Sequence, residues 1–296
     1  MNKLIKIALS AITLTFVYIS VSKNSQVLPE FDIIKILPIL LLSAISFLFL
    51  YLRFNFLTTT LLNMKKSNKS IFTIYLNALF LDQLPVPASA EVYKIYDLYG
   101  ISNQREKSFY AVLIERIAGL FSNATMLIII FNFSIYEYLN KFYIIFLAFQ
   151  ILVIILIKIF YKFFFIRIPY FNYAYLSIRK IKSILKILTT VFAYSLVSQC
   201  ISLIMIAYCL SLFYSWDLIF SVLFFVQLSN LIIALPVFMS GWGVREFLYA
   251  FIFTNVLNID FTNSVFAASI INLSSIVILI SMYLCYKLFY IFFAKN

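Results

Sequence analysis

An all-α, polytopic membrane bundle with two re-entrant or broken helical hairpins follows from three features of this sequence. Of the 296 residues, 64% are hydrophobic and 11% charged, 34 are phenylalanine, and the mean hydropathy is +1.03, a balance that no water-facing surface accommodates. Apolar runs of membrane-crossing length alternate with segments rich in Lys and Arg, the pattern that orients spans in a bilayer. Two of the runs are interrupted in the same way, by LPVPASAEVYK at Leu84–Lys94 and by LPVFMSGWGVRE at Leu235–Glu246. In each, a serine (Ser89, Ser240) stands four residues after the first proline and a cation (Lys94, Arg245) nine residues after it. Helix-breaking, charged backbone is tolerated at membrane depth only inside protein or beside a water-filled cavity. At about 20 residues per crossing, the chain has room for roughly seven to nine passes, in one transmembrane domain over residues 1–296.

The elements follow in order. A first run, Leu4–Val21, is preceded by Lys3 and Lys6 and lacks a convincing small-residue cleavage site, so it reads as an uncleaved span. The second, Ile33–Leu52, is followed by Arg53, Lys65, Lys66 and Lys69, which read as positive-inside signals and place the N-terminus in the cytoplasm. A half-span, Ile71–Leu81, ends at Asp82, Gln83 and the Pro85/Pro87 break, and a charged amphipathic segment resumes at Ser89. Spans Phe109–Phe131 and Phe142–Ile157 flank an outer loop at Glu137–Lys141, and a strongly basic stretch, Lys158–Lys186, follows on the cytoplasmic side. Ile187–Phe213 and Leu218–Leu235 lead to the second break, then Phe247–Val256 and Val265–Leu288 end the chain with both termini cytoplasmic. The repeated LPVxxS element points to half-repeats, 1–157 and 158–296, a common way to build a transporter around a midplane site.

Several function classes drop out early. The net charge of +12 suggests nucleic acid in a soluble protein, but here the cations gather between spans, so no nucleic-acid partner is expected. Histidine is absent, which removes Ser-His-Asp and Cys-His nucleophiles and the usual metal sites. Cys200, Cys209 and Cys285 lack the close spacing of metal or redox motifs and read as packing residues. No cofactor is expected.

Chemistry concentrates at the breaks. Proline removes a backbone donor and disfavours helix before itself, and Gly241 and Gly243 allow a sharp turn and close approach to a ligand. Helix restarting after Ser89 and after Ser240 or Gly241, with serine as N-cap, would direct free N–H groups and a positive dipole end into the cavity. Lys94 and Arg245 then make a phosphate the natural ligand, arginine as a bidentate fork and lysine as a mobile point charge. Ordinary interfacial charges would explain Glu91 with Lys94, or Arg245 with Glu246, at one break alone; two equivalent breaks argue against it, because a charge at membrane depth costs about 2.5–3.5 kcal/mol on insertion scales.

Glu115 and Arg116 are adjacent and point about 100° apart on a helix, so each needs its own partner. A Glu91–Arg116 or Glu115–Lys94 pair would tie the first break to this later span; snorkelling toward headgroups is the plainer use. Asp82, Gln83, Gln199, Gln227 and Asn230 read as inter-helix hydrogen-bonding groups.

These residues support a resemblance. LPVPASAEVYK, VLIERIAGL at Val112–Leu120 and ALPVFMSGWGVRE at Ala234–Glu246 resemble, in order, the three signature regions of the flippase-like transmembrane domain of bacterial lysylphosphatidylglycerol synthases. GWGVRE is similar to that family's Gly-x-Gly-Val-Arg-Glu signature, and Glu91 and Glu115-Arg116 match the acidic residue of the first motif and the Glu-Arg of the second. Ala88, Ser89 and Ala90 stand where the first motif usually has glycines, and Lys94 where it has arginine. The resemblance implies a free-standing, multi-pass member in the bacterial cytoplasmic membrane. The soluble aminoacyl-transferase domain is not expected, since the chain ends at Asn296 just after its last span, so lipid aminoacylation by this chain is not expected either.

The leading expectation is a lipid-handling protein whose cavity accepts an anionic phospholipid or polyprenyl-phosphate headgroup, with Glu91, Lys94, Glu115, Arg116, Ser240, Gly241, Gly243, Arg245 and Glu246 lining the site. One alternative is an enzyme or enzyme subunit acting on a lipid-linked glycan through Glu91, Glu115 or Glu246, although carboxylates beside arginines are poor bases. Another is a docking partner for a cytoplasmic glycosyltransferase on Lys158–Lys186, a segment that positive-inside retention and anionic lipid also explain.

Overall fold

The computed structural model describes residues 33–62, 68–82, 89–134, 184–212, 219–233, 244–257 and 261–293. Among them are eight α-helices and a short 3-10 turn, with no strand. The 3-10 turn Ile33–Ile36 leads into α1, Leu37–Leu62, whose second residue is Pro38, a position where the missing N–H costs nothing. Two short helices follow, α2 at Asn68–Asp82 and α3 at Ser89–Ser102, then the long α4 at Arg105–Ser134. The second series is α5 at Ile184–Ser211, the short α6 and α7 at Ile219–Ile233 and Val244–Leu257, and the long α8 at Phe261–Phe293.

Among the described residues, four stretches are long and apolar enough to cross a membrane: Ile34–Leu62, Arg105–Phe131, Lys186–Ser211 and Ser264–Lys287. Shorter apolar segments lie at Ile71–Asp82 and Ile219–Leu231. The protein is therefore a multi-pass, all-helical membrane bundle. Its lipid-facing surface is visible on α8, where Leu273, Val277, Ile280 and Leu284 are all exposed at helical spacing, a stripe that a water-soluble protein would bury. The expected runs at 4–21 and 142–157, and most of the basic stretch after residue 157, lie outside the described residues.

The breaks separate paired short helices. Ser89 Oγ donates to the Leu81 carbonyl at 2.7 Å, and Asn77 Nδ2 donates to Tyr93 Oη at 2.9 Å. Each partner in the second bond lies four residues, one turn, farther from the break than in the first, so α2 and α3 run antiparallel as a hairpin. At 15 and 14 residues, or about 22 and 21 Å, neither matches a hydrocarbon core of about 30 Å. The Ser89 hydroxyl, in the first turn of α3, thus fastens the end of α2 across the break. Helices α6 and α7 also have 15 and 14 residues, pack on each other, and are linked by Tyr249 Oη donating to Asn230 Oδ1 at 2.6 Å.

The turn between α3 and α4 is set by Asn103, at a φ of 55°. Asparagine adopts this left-handed conformation more readily than most residues and ends a helix there; its N–H bonds the Tyr99 carbonyl at 2.8 Å. The chain reverses, and α4 returns alongside α3.

Helix packing relates the two series. Helices α1 and α5 pack on each other; α4 packs on α5 and α6, and α8 packs on α1 and α2. The α1–α5 seam is made of small polar groups: Ser46 Oγ lies 2.8 Å from Ser198 Oγ and 3.2 Å from Ser202 Oγ. Between membrane helices such bonds contribute about 0.6 kcal/mol each. Ser46→Ala and Ser198→Ala are each expected to lower stability by about that amount and to be non-additive in a double-mutant cycle followed by thermal unfolding in detergent.

Candidate functional site

Five helices meet at a charged cluster between two apolar ones. Phe54, Ile71, Ile74, Tyr75, Leu98 and Val112 pack on one side, and Leu57, Leu61, Ala111, Ala118, Ile187 and Val191 on the other. At the centre is Glu115 of α4. Its Oε1 accepts from Arg53 Nη2 of α1 at 2.8 Å, and Lys94 Nζ of α3 donates to Oε1 and Oε2 at 3.0 and 2.9 Å. The Arg53 and Lys94 side chains are 11% exposed and that of Glu115 6%. Arg53 reaches further, donating from Nη1 to Ser195 Oγ of α5 at 2.9 Å. Its Nε–H is buried with no partner among the described residues.

The stem of Lys94 brings its ammonium beneath two aromatic rings. Nζ lies 4.9 Å from the Phe54 centroid and 5.3 Å from that of Tyr75, inside the range of cation–π attraction. Closer to the surface, Arg116 pairs with Glu91, their side chains 38% and 26% exposed. Both pairings considered from the sequence are thus present together. The antiparallel register of α3 and α4 explains why: Glu91 and Lys94 share a face of α3 one turn apart, and α4 presents Arg116 and Glu115 to them in reverse order.

Lys94 is not an unpaired cation; its charge is directed at Glu115. The cluster nonetheless holds two cations and one carboxylate, a net +1. A buried ion network of this kind is held by low-dielectric attraction against a desolvation cost, and is sensitive to removal of any single member.

The sequence places Arg53 just beyond a span ending at Leu52; α1 instead continues to Leu62 and buries Arg53 within it. Within that continuation Thr58 and Thr59 bond back to the Phe54 and Asn55 carbonyls at 3.0 and 2.8 Å, so their hydroxyls are satisfied inside the helix. The signal was present: no Gly, Pro or further charge falls between Arg53 and Leu62.

Gly119, one turn after Glu115, faces the same guanidinium; a Cβ there would stand 3.6 Å from Arg53 Nη1. That is ordinary contact, and alanine is the better helix former by about 1 kcal/mol. Gly119→Ala is therefore expected to be neutral or slightly stabilising in thermal unfolding, whereas Gly119→Leu should displace Arg53 and lower the midpoint.

Of the remaining expected site residues, Arg245 and Glu246 fall in the first turn of α7, with side chains outside the described set, as are Ser240, Gly241 and Gly243. Gln227 and Asn230 do bond between helices: Gln227 Nε2 donates to Asn123 O and Oδ1 at 3.2 Å each, and Asn230 accepts from Tyr249. Among the described residues no group of His, Cys, Asp and Glu is arranged to hold a metal.

A family model described as lysylphosphatidylglycerol synthase TM region matches residues 3–281. The chain belongs to this family. No curated protein and no solved structure matches it. Membership in the lysylphosphatidylglycerol synthase TM region family gives the chain a membrane, lipid-related setting, and the Glu115 cluster sits on the Glu-Arg pair that carried the resemblance in the sequence.

Proposed function

We propose that this protein handles an anionic lipid, binding or translocating a phospholipid or polyprenyl-phosphate headgroup at a basic site within the bilayer. The observation that carries the reading is the net +1 of the buried Arg53–Glu115–Lys94 cluster, together with an Arg53 Nε–H that has no acceptor among the described residues. Excess positive charge in an apolar setting is costly unless an anion answers it, and phosphate oxygens suit an arginine donor. Arg116 and Glu91, nearer the surface, form the approach to the site. From the sequence pattern, Ser240, Gly241, Gly243, Arg245 and Glu246 of the second break belong to the same ligand-binding set.

The half-repeats 1–157 and 158–296 are the moving parts of this proposal. Support comes from the order of the described helices: among them long, short, short, long occurs twice, with helix lengths of 26, 15, 14, 30 and then 28, 15, 14, 33 residues. Rocking of one series on the other about the α1–α5 seam would expose the site to either leaflet. The protein resides in the bacterial cytoplasmic membrane with both termini cytoplasmic, following the positive-inside distribution.

A leaflet-accessibility assay in proteoliposomes tests this. Arg245→Ala should slow movement of an anionic lipid probe by about tenfold or more, the kinetic equivalent of losing about 1.5–3 kcal/mol of hydrogen bonding to a charged group. Unchanged movement in that variant removes the second break from the site.

A further inference from the structure

We propose that Glu115, Phe54 and Tyr75 form an ammonium-binding pocket that the chain fills with its own Lys94, making Lys94 the residue that turns away headgroups carrying a primary ammonium. The selector role rests on the lipid-binding reading above; the pocket itself does not.

The geometry is that of a receptor for an alkylammonium. Both Glu115 oxygens lie within 3.0 Å of Lys94 Nζ, and two ring faces stand at 4.9 and 5.3 Å. Phe54 and Tyr75 are almost wholly buried, so the aromatic attraction acts without water to weaken it and belongs at the upper end of its range. A carboxylate with two aromatic faces is the chemistry that holds a small ammonium ion in general; nothing in it requires the ion to be tethered. Lys94 enters from α3, whose outer face exposes Val92 and Tyr96, so its stem occupies the way in from the periphery of the bundle.

Filling the pocket from within has two effects. A second ammonium finds no room and meets a cluster already at +1. The same charge favours phosphate without a neighbouring amine. Removing the lysine head would leave Glu115 neutralised once, by Arg53, and an empty space matching the lost atoms, which are those of n-propylammonium when Lys94 becomes alanine.

The experiment uses the full chain in detergent and in nanodiscs. n-Propylammonium chloride should raise the unfolding midpoint of Lys94→Ala saturably, with an apparent affinity at least about tenfold better than that of n-propanol, since tenfold corresponds to a difference smaller than one desolvated cation–π contact. Unaltered protein and Lys94→Met, whose stem still fills the space, should not respond. Should Lys94→Ala fail to fold, extraction in the presence of n-propylammonium must recover folded protein where n-propanol does not. Equal behaviour of amine and alcohol in either format overturns the pocket. In nanodiscs, the binding ratio of phosphatidylethanolamine to phosphatidylglycerol should rise about tenfold in Lys94→Ala; an unchanged ratio overturns the selector role. If the unaltered protein does not distinguish phosphatidylglycerol from a neutral lipid, the lipid-binding reading has failed, and the amine rescue still decides the pocket.

Discussion

Glu115→Gln should lower the stability of this protein by about 3–5 kcal/mol, the usual consequence of breaking a buried ion pair from one side. Glu115 is the shared acceptor of the cluster, taking charge-assisted bonds from Arg53 at 2.8 Å and from Lys94 at 2.9 and 3.0 Å. Glutamine keeps the shape but removes the charge, so two cations are left facing one another with a net +2 in apolar surroundings. One side of the amide is also a donor and cannot accept from either. The loss should be strongly non-additive: Lys94→Met in the Glu115→Gln background removes one unanswered cation and should restore part of the stability, with a coupling of about 0.5–3 kcal/mol. Thermal unfolding of the four proteins of that cycle, purified in the same detergent, is the measurement. A Glu115→Gln midpoint equal to that of the unaltered protein would mean that the cluster does not hold these helices together.

The pairing of α2 with α3 was legible because its signals are local. Pro85 and Pro87 must interrupt α2 and α3 whatever surrounds them, and α2 ends at Asp82, within a residue of the apolar half-span read from the sequence. The need of Glu115 and Arg116 for separate partners was equally local, since adjacent helical residues diverge. Arg53 was not legible in the same way. An apolar run followed by an arginine is what a span end looks like and also what a buried arginine looks like; only the uncharged Phe54–Leu62 continuation distinguishes them, and its threonines resemble loop residues until their hydroxyls are seen to bond within the helix. The use of Lys94 was hidden for a different reason. The sequence placed it correctly beside the break, but whether a cation faces a ligand or a carboxylate depends on the register of α3 against α4, which is set at Asn103 rather than at either charge.

Arg53 permits charge and geometry to be separated, because its neighbours are unequally dependent on it. Ser195 Oγ already donates to the Val191 carbonyl at 3.0 Å, and Glu115 keeps both of its contacts with Lys94 when the guanidinium is removed. Arg53→Met should therefore cost about 1.5–3 kcal/mol, the range for hydrogen bonds to charged groups, less than Glu115→Gln. Its effect on the proposed ligand is larger in relative terms, since the cluster falls from +1 to neutral: affinity for an anionic headgroup should drop about ten- to hundredfold, the same energy expressed as a binding ratio. Arg53→Lys restores the charge but not the fork, and a single ammonium cannot reproduce the guanidinium's simultaneous reach to Glu115 and Ser195. It should recover most of the binding and little of the stability. Lipid binding by native mass spectrometry and thermal unfolding, measured on both variants, distinguish the outcomes. If lysine and methionine at this position lose the anionic lipid equally, the ligand is held by the shape of the guanidinium, and net charge is not what draws a headgroup to the site.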